Sequence, residues 1–389
     1  SLDRSYVAIQ GPPGSGKSWT AAQVIRNLVE QHHWRVAVVA QSHAVVEHLL
    51  DGIIEHGLDP SLVGKSRRKS HRQPWVEVRD GGPHRADWVA GHRAKNRGCV
   101  LGGTAWTFSA ETLADAFDLV VVDEAGQFSL ANTVAVSTAG RNLLLLGDPQ
   151  QLPQVSQGQH PEPVNESALG WLMGEHQTLP STFGYFLATS YRMCEQVCTP
   201  VSNLSYEGRL TSSAPARGLA GIEPGIERIE VAHGGNRTDS PEEALAVADR
   251  VDSLLGIPWT EDGTTRPLGE RDILVVAPYN AQVALIRQTL AARGRTAVRV
   301  GTVDKFQGQQ APVTMVSLAA SSPKEAARGM GFLLNRNRLN VAVSRAKWLS
   351  VIVHSPEITH YLPHTVPGLL ELGGFLALLD SRRGATPAV

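Results

Sequence analysis

Short, nearly unbroken apolar runs alternate along this chain with segments whose apolar residues recur every three or four positions. The runs YVAI at 6–9, VAVVA at 36–40, LVVVD at 119–123 and LLLLG at 143–147 lack the in–out alternation of a strand with one wet face. They therefore predict strands of a parallel sheet covered by helices on both sides. A second series follows, with ERIEV at 227–231, DILVVAP at 272–278, AVRVGTV at 297–303, VTMVSLA at 313–319 and LSVIVH at 349–354. Two such series predict two α/β domains. The periodicity breaks near 175–188, around Pro180 and Gly184, which sets the expected domains at 1–178 and 179–365, with 366–389 as a C-terminal tail. Between 51 and 98 the strand pattern lapses into polar, glycine-bearing sequence, expected to be an insertion in the first domain.

Composition narrows this picture modestly. The chain has 389 residues, 42% of them hydrophobic, enough for more than one core. Its formal net charge is -1, so any surface for a polyanion must be local. Three cysteines, Cys99, Cys194 and Cys198, suit a reducing cytoplasm and no disulfide framework. Cys194 and Cys198 lie one helical turn apart without further ligands in a metal-binding spacing. No apolar run reaches the ~20 residues that cross a bilayer, so no membrane partner is expected. The first residues lie almost directly on a core strand and carry no signal-peptide pattern, which suggests a piece of a longer chain.

The chemistry begins directly after the first apolar run. Gly11-Pro12-Pro13-Gly14-Ser15-Gly16-Lys17-Ser18 fits G-x-x-x-x-G-K-S between a strand and the helix-forming WTAAQVIRNLVE, which starts at Trp19. In that context backbone amides and the helix N-terminus face phosphates, Lys17 adds a point charge and Ser18 can ligate magnesium. The run LVVVDEAGQ ends in two carboxylates. Asp123 suits the magnesium shell, and Glu124 suits the base that deprotonates attacking water, the two jobs that phosphoryl transfer to water requires. Neither an N-K-x-D guanine reader nor an L-S-G-G-Q signature occurs, which points to motor-type ATPases.

The motifs and their order resemble those of superfamily 1 helicases, in the Upf-like and Dna-like branch, from Gly11 to about His354. GPPGSGKS and DEAGQ look like the two nucleotide motifs, and GDPQQLPQV at 147–155 resembles G-D-x-x-Q. TSYRM at 189–193, APYNAQ at 277–282, GTVDKFQGQQ at 301–310 and LNVAVSRAK at 339–347 are similar to the later motifs. The resemblance implies two RecA-like domains with ATP and Mg2+ in the cleft between them. It implies that Gln127 senses the nucleotide, Gln151 senses the terminal phosphate, Tyr191 stacks on adenine, and Arg192 and Arg345 stabilise the transferring phosphoryl group. Gln310 stands where the family has a ribose-binding glutamate, and Ser190 replaces the glutamine before Tyr191. With ten residues ahead of Gly11, the branch's upstream glutamine and its stalk-and-barrel insertion find no place in this stretch.

By the same resemblance, single-stranded DNA or RNA runs over Ser42, Thr104, Pro278, Tyr279 and Thr302, with His43 where asparagine is common. The segment KSRRKSHR at 65–72 holds five Lys or Arg and no acid, followed by Arg93, Lys95 and Arg97. It reads either as a solvated loop or as a phosphate-gripping patch centred on Arg67, Arg68 and Lys69. Trp75 and Trp88 either stack on bases or fold this segment onto the domain. The expected activity is a nucleic-acid-stimulated ATPase of the cytoplasm, a monomer moving 5′ to 3′ and unwinding duplexes. The alternatives are a translocase or remodeler that does not separate strands, and a nucleotide-dependent clamp without turnover. In bacterial relatives a nuclease domain can stand upstream.

Overall fold

The structure, a computed structural model, describes residues 3–66, 73–153, 158 and 160–381. The chain divides into two compact units. The first comprises residues 1–12, 16–149 and 153–187, and the second comprises 13–15, 150–152 and 188–389.

In the first unit, eight strands make one parallel sheet: β1 (Tyr6–Gln10), β2 (Arg35–Val39), β3 (Val63–Lys65), β4 (Val76–Glu77), β5 (Cys99–Gly103), β6 (Leu119–Asp123), β7 (Leu143–Gly147) and β8 (Gly184–Phe186). Their spatial order is β4-β3-β5-β2-β6-β7-β1-β8. Helices α1 (Lys17–His32), α2 (His43–Glu55), α3 (Gly82–Ala94), α4 (Ala105–Phe108), α5 (Leu130–Ser137) and α6 (Ala168–Met173) connect the strands. The strands are apolar throughout because both sheet faces are covered. One cluster joins Ala21, Ile25 and Val29 of α1 and Val46, Leu49 and Ile53 of α2 to Val36, Val38 and Val121. The other gathers Phe108, Phe117, Val136 and Leu169 against Ala37, Val39, Val120 and Val122.

Two expectations about this unit change. The passage to the second unit falls between residues 187 and 188, later than 178, because β8 pairs with β1 and so belongs to the first sheet. The segment 51–98 is no separate insertion, since β3 pairs with β5 and β4 with β3, extending the same sheet at its edge.

The second unit carries β9 (Thr189–Ser190), β10 (Thr211–Ser212), β11 (Arg217–Leu219), β12 (Gly225–Glu230), β13 (Pro258–Glu261), β14 (Thr264–Pro267), β15 (Ile273–Val276), β16 (Arg299–Gly301), β17 (Ala311–Ser317) and β18 (Ala346–His354). Five of them form a parallel sheet in the order β12-β18-β17-β15-β16, and β11, β13 and β14 make a small antiparallel sheet. Its helices are α7 (Glu195–Ser205), α8 (Pro241–Leu254), α9 (Asn280–Ala292), α10 (Met330–Leu333), α11 (Arg336–Val343) and α12 (Val366–Asp380). Residues 366–380, expected as tail, are thus mostly helix, and Leu372, Phe375, Leu378 and Leu379 of α12 are buried. The remaining expected tail, 382–389, lies outside the described residues. Both units are α/β, each built on a parallel sheet.

Candidate functional site

In open parallel sheets the loops leaving the strands' carboxyl ends hold ligands, and helices begin there with unpaired amides. Four of the motif segments leave such ends of the first unit's sheet. The phosphate loop follows β1, Ser42 follows β2, Thr104 follows β5, and Asp123 closes β6. The strand between β6 and β1 is β7, which ends in Gly147 and the buried Asp148.

The loop from Gly11 to Lys17 turns through Gly14 and Gly16, at φ 75° and 77°, left-handed angles that glycine adopts without steric cost. A Cβ on Gly14 would also run into the side chains of Arg192 and Ser190. Ser15 is buried, and its Oγ has no hydrogen-bond partner among the described residues. An orphaned buried hydroxyl in a glycine-rich loop that leads into a helix N-terminus suits phosphate oxygens as partners. Ser18 stands half-buried on the first turn of α1, and Trp19 is exposed, its ring edge-on to His56.

Lys17 Nζ lies 3.1 Å from Glu124 Oε1 and 3.8 Å from Asp123 Oδ1. Burial disfavours the Lys17 ammonium, but Glu124 and Asp123 together outweigh burial and hold its pKa above the usual lysine value. Burial pushes the Asp123 carboxyl up, with the Lys17 charge opposing it. Successive residues of an extended strand point to opposite faces, so two adjacent carboxylates would normally diverge. Here Glu124 adopts φ 57°, and its N–H donates to Asp123 Oδ1 at 2.9 Å. The left-handed bend brings both carboxylates to one cation. The turn that follows runs against the end of β7, since a Cβ on Gly126 would come within 2.5 Å of the Asp148 carbonyl carbon. Gln127 is half-buried in this turn and donates its N–H to Glu124 O at 2.7 Å.

The second unit, which takes in residues 150–152, gathers another set of the expected residues. Arg345 is buried, with Nε donating to Val341 O at 3.1 Å and Nη2 to Gln151 Oε1 at 3.2 Å. Arg192 donates from Nε to Gln310 Oε1 at 3.0 Å and from Nη1 to Ser344 O at 3.1 Å. Burial, joined by the neighbouring Arg345 charge, pulls Arg192 down to about 9, which still leaves it charged at neutral pH. Gln310 Oε1, expected toward ribose, is thus turned to a guanidinium. Tyr191 keeps its ring 55% exposed, as a stacking surface must be, while its N–H donates to Gly14 O at 2.9 Å.

Of the expected strand contacts, Ser42 is exposed and caps α2, accepting the Val45 N–H at 3.3 Å. Thr104 is half-buried at the start of α4, where its side chain makes no capping bond. In the second unit Pro278 and Thr302 are half-buried. Tyr279 is buried and packs on Phe332 at 5.7 Å between ring centroids, so its ring is not offered to a base. Two guanidiniums flank that Phe332, Arg328 at 3.9 Å and Arg338 at 4.3 Å from the ring centroid. Lys65 corrects the reading of the basic segment: it is buried in β3 and paired with Glu47 at 3.0 Å, so it faces no solvent or ligand. Arg67, Arg68 and Lys69 lie outside the described residues, while Arg93, Lys95 and Arg97 are exposed. Trp75 is fully buried in the first unit's core and Trp88 packs against it, so both fold the segment rather than await a base. Sequence reasoning missed Trp106, two residues past Thr104, which is 89% exposed.

Two parallel sheets, a phosphate loop and a paired carboxylate turn define a P-loop protein. Two family profiles, each described as an AAA domain, match residues 2–168 and 165–357. Together the two profiles span residues 2–357, and the relatives that the chain resembles are helicases of the Upf-like and Dna-like branch. It is 24% identical over 92% of its length to the DNA replication ATP-dependent helicase/nuclease JHS1 of Arabidopsis thaliana, covering 28% of that protein. It is 27% identical over 87% of its length to the DNA polymerase alpha-associated DNA helicase A of Schizosaccharomyces pombe, covering 59%. With the ATP-dependent helicase NAM7 of Saccharomyces cerevisiae it shares 26% identity over 91% of its length, covering 40%. The chain therefore spans between about a quarter and three fifths of these relatives. No helix among the described residues is long and apolar enough to cross a membrane.

Proposed function

We propose that this chain is the ATP-hydrolysing motor core of a nucleic-acid helicase, moving along single-stranded DNA or RNA from 5′ to 3′. The observation that carries the reading is Lys17 held between Asp123 and Glu124, directly after the phosphate loop. Lys17 would meet the β- and γ-phosphates, exchanging part of its contact with the carboxylates for them. Glu124 would take the proton of the attacking water. Ser18 and Asp123 offer the hard oxygen donors that suit magnesium, which when bound neutralises charge on the phosphate oxygens. Gln151, Arg192 and Arg345 supply donors for charge spreading over the transferring phosphoryl group. Gln127 and the open ring of Tyr191 would hold the nucleoside, with Gln310 bonding the ribose once released by Arg192. Ser42, Thr104, Pro278 and Thr302 would contact the strand's backbone, and Tyr279 would support that path through its main chain and its packing on Phe332. The protein we infer acts as a monomer in the cytoplasm, where its three unpaired thiols stay reduced.

The test is ATP turnover with and without matched DNA and RNA oligonucleotides, followed by strand displacement on 5′-tailed duplexes. Stimulated turnover and displacement are expected, and Glu124→Gln should lower turnover about 10²- to 10⁴-fold. Wild-type turnover in Glu124→Gln would remove that residue as the base. Stimulated turnover without displacement would make the protein a translocase or remodeler. Binding of both ligands with negligible turnover would make it a clamp.

A further inference from the structure

Large aromatic side chains are seldom left in water, because burying one stabilises a fold substantially. In the first unit Trp75 follows that rule and is fully buried, whereas Trp106 on α4 is 89% exposed. Beside it opens a space of about 210 Å³, lined by His43, Ser66, Asp80, Arg85, Thr104 and Thr107.

 Gly102 and Gly103 at the end of β5 border this space, and a Cβ on either would collide with Val46 and Leu50 or with Thr107. Arg85 is fixed at its wall, donating from Nε to Ser66 Oγ at 2.8 Å and from Nη2 to Asp80 Oδ1 at 2.5 Å. Hydroxyls, a fixed guanidinium and an open indole thus meet at the carboxyl ends of β3 and β5. That combination matches one unit of a single strand, with an anionic phosphodiester on the polar side and a flat base on the ring. Paired bases of a duplex offer no free face to such a ring.

We propose that Trp106 stacks on a base of the bound single strand while the neighbouring phosphodiester lies over Thr104 and the Arg85 wall. The inference rests on the helicase reading and adds a base contact to a path otherwise made of backbone contacts. It is tested by fluorescence anisotropy with labelled oligothymidylate and oligouridylate, using the whole chain with a non-hydrolysable ATP analogue. Trp106→Ala should weaken binding at least about fivefold, and Trp106→Phe should restore most of it. The salt dependence should keep its slope, because the ring carries no charge. Wild type should bind an abasic strand about as weakly as Trp106→Ala binds the normal one. The exposed position predicts an unchanged melting temperature, which separates lost stacking from lost fold. Equal binding by wild type and Trp106→Ala, or the same fold-loss on abasic and normal strands, overturns the stacking contact alone. Failure of the wild type to bind either oligonucleotide overturns the helicase reading with it.

Discussion

At the scale of single residues, the first unit's site depends on a backbone bend more than on side-chain identity. A non-glycine residue in the left-handed region costs roughly 1–2 kcal/mol, and Glu124 occupies it at φ 57°. The neighbouring turn holds that conformation, with Gln127 N–H on Glu124 O and Ala125 N–H on Leu146 O at 2.7 Å each. Gly126 lets the turn lie against the Asp148 backbone. Gly126→Ala should therefore force the turn away from β7, destabilising the protein by about 1–3 kcal/mol and lowering ATP turnover through a misplaced Glu124. Urea denaturation and turnover measured on the same preparation check this. A stable variant with full activity would show that the turn has room to shift.

Among the elements, α12 shows what a pattern of apolar positions conceals. Its sequence VPGLLELGGFLALLD is apolar on nearly every side and glycine-rich, so it presents no amphipathic stripe. Only packing decides its buried face, on which Phe375 meets the His354 ring edge-on at 5.6 Å. Phe375→Ala should cost about 3–5 kcal/mol in thermal or urea unfolding. Burial, the largest influence, pulls His354 below the usual histidine range, against Ser355 O, Glu243 and Glu230, while Arg228 adds to the downward pull. The unfolded chain then binds the proton more readily, so stability is full above about pH 6.5 and falls as the pH drops below it. Opening the site to water in Phe375→Ala should make that acid-side loss shallower. The strands were legible where both faces are covered, as in β1, β6, β7, β17 and β18, because continuous apolar runs have few other uses. β5 was not, since Gly102 and Gly103 remove the apolar signal just where a Cβ would collide with Val46, Leu50 or Thr107. β3 and β4 are too short to show a period. In the site, Lys17, Asp123 and Glu124 were legible because phosphate chemistry demands those residue types. The bend at Glu124, the pairing of Gln310 with Arg192, the burial of Lys65 and Tyr279, and the exposure of Trp106 all depend on tertiary packing that no local pattern encodes.

For the whole molecule, a net charge of -1 means that capture of a polyanion rests on local groups rather than on a general field. Stability is likewise divided, because the first unit has apolar clusters on both sheet faces and the second has its own around Val247, Ile286 and Met315. Unfolding need not be a single transition in such a chain. A ligand held only by the folded phosphate loop raises the stability of the part that contains it, by about 2.7 kcal/mol at a hundredfold excess over its Kd. Magnesium-ATP should therefore move at least one thermal transition of the wild type upward. Lys17→Ala removes the cation that faces the phosphates and also relieves Asp123 and Glu124 of their partner, leaving two carboxylates to repel the nucleotide. In that variant the upward shift should disappear at the same nucleotide concentration. An equal shift in both proteins, followed by calorimetry, would mean that the nucleotide is held away from the phosphate loop, and the motor reading would lose its anchor.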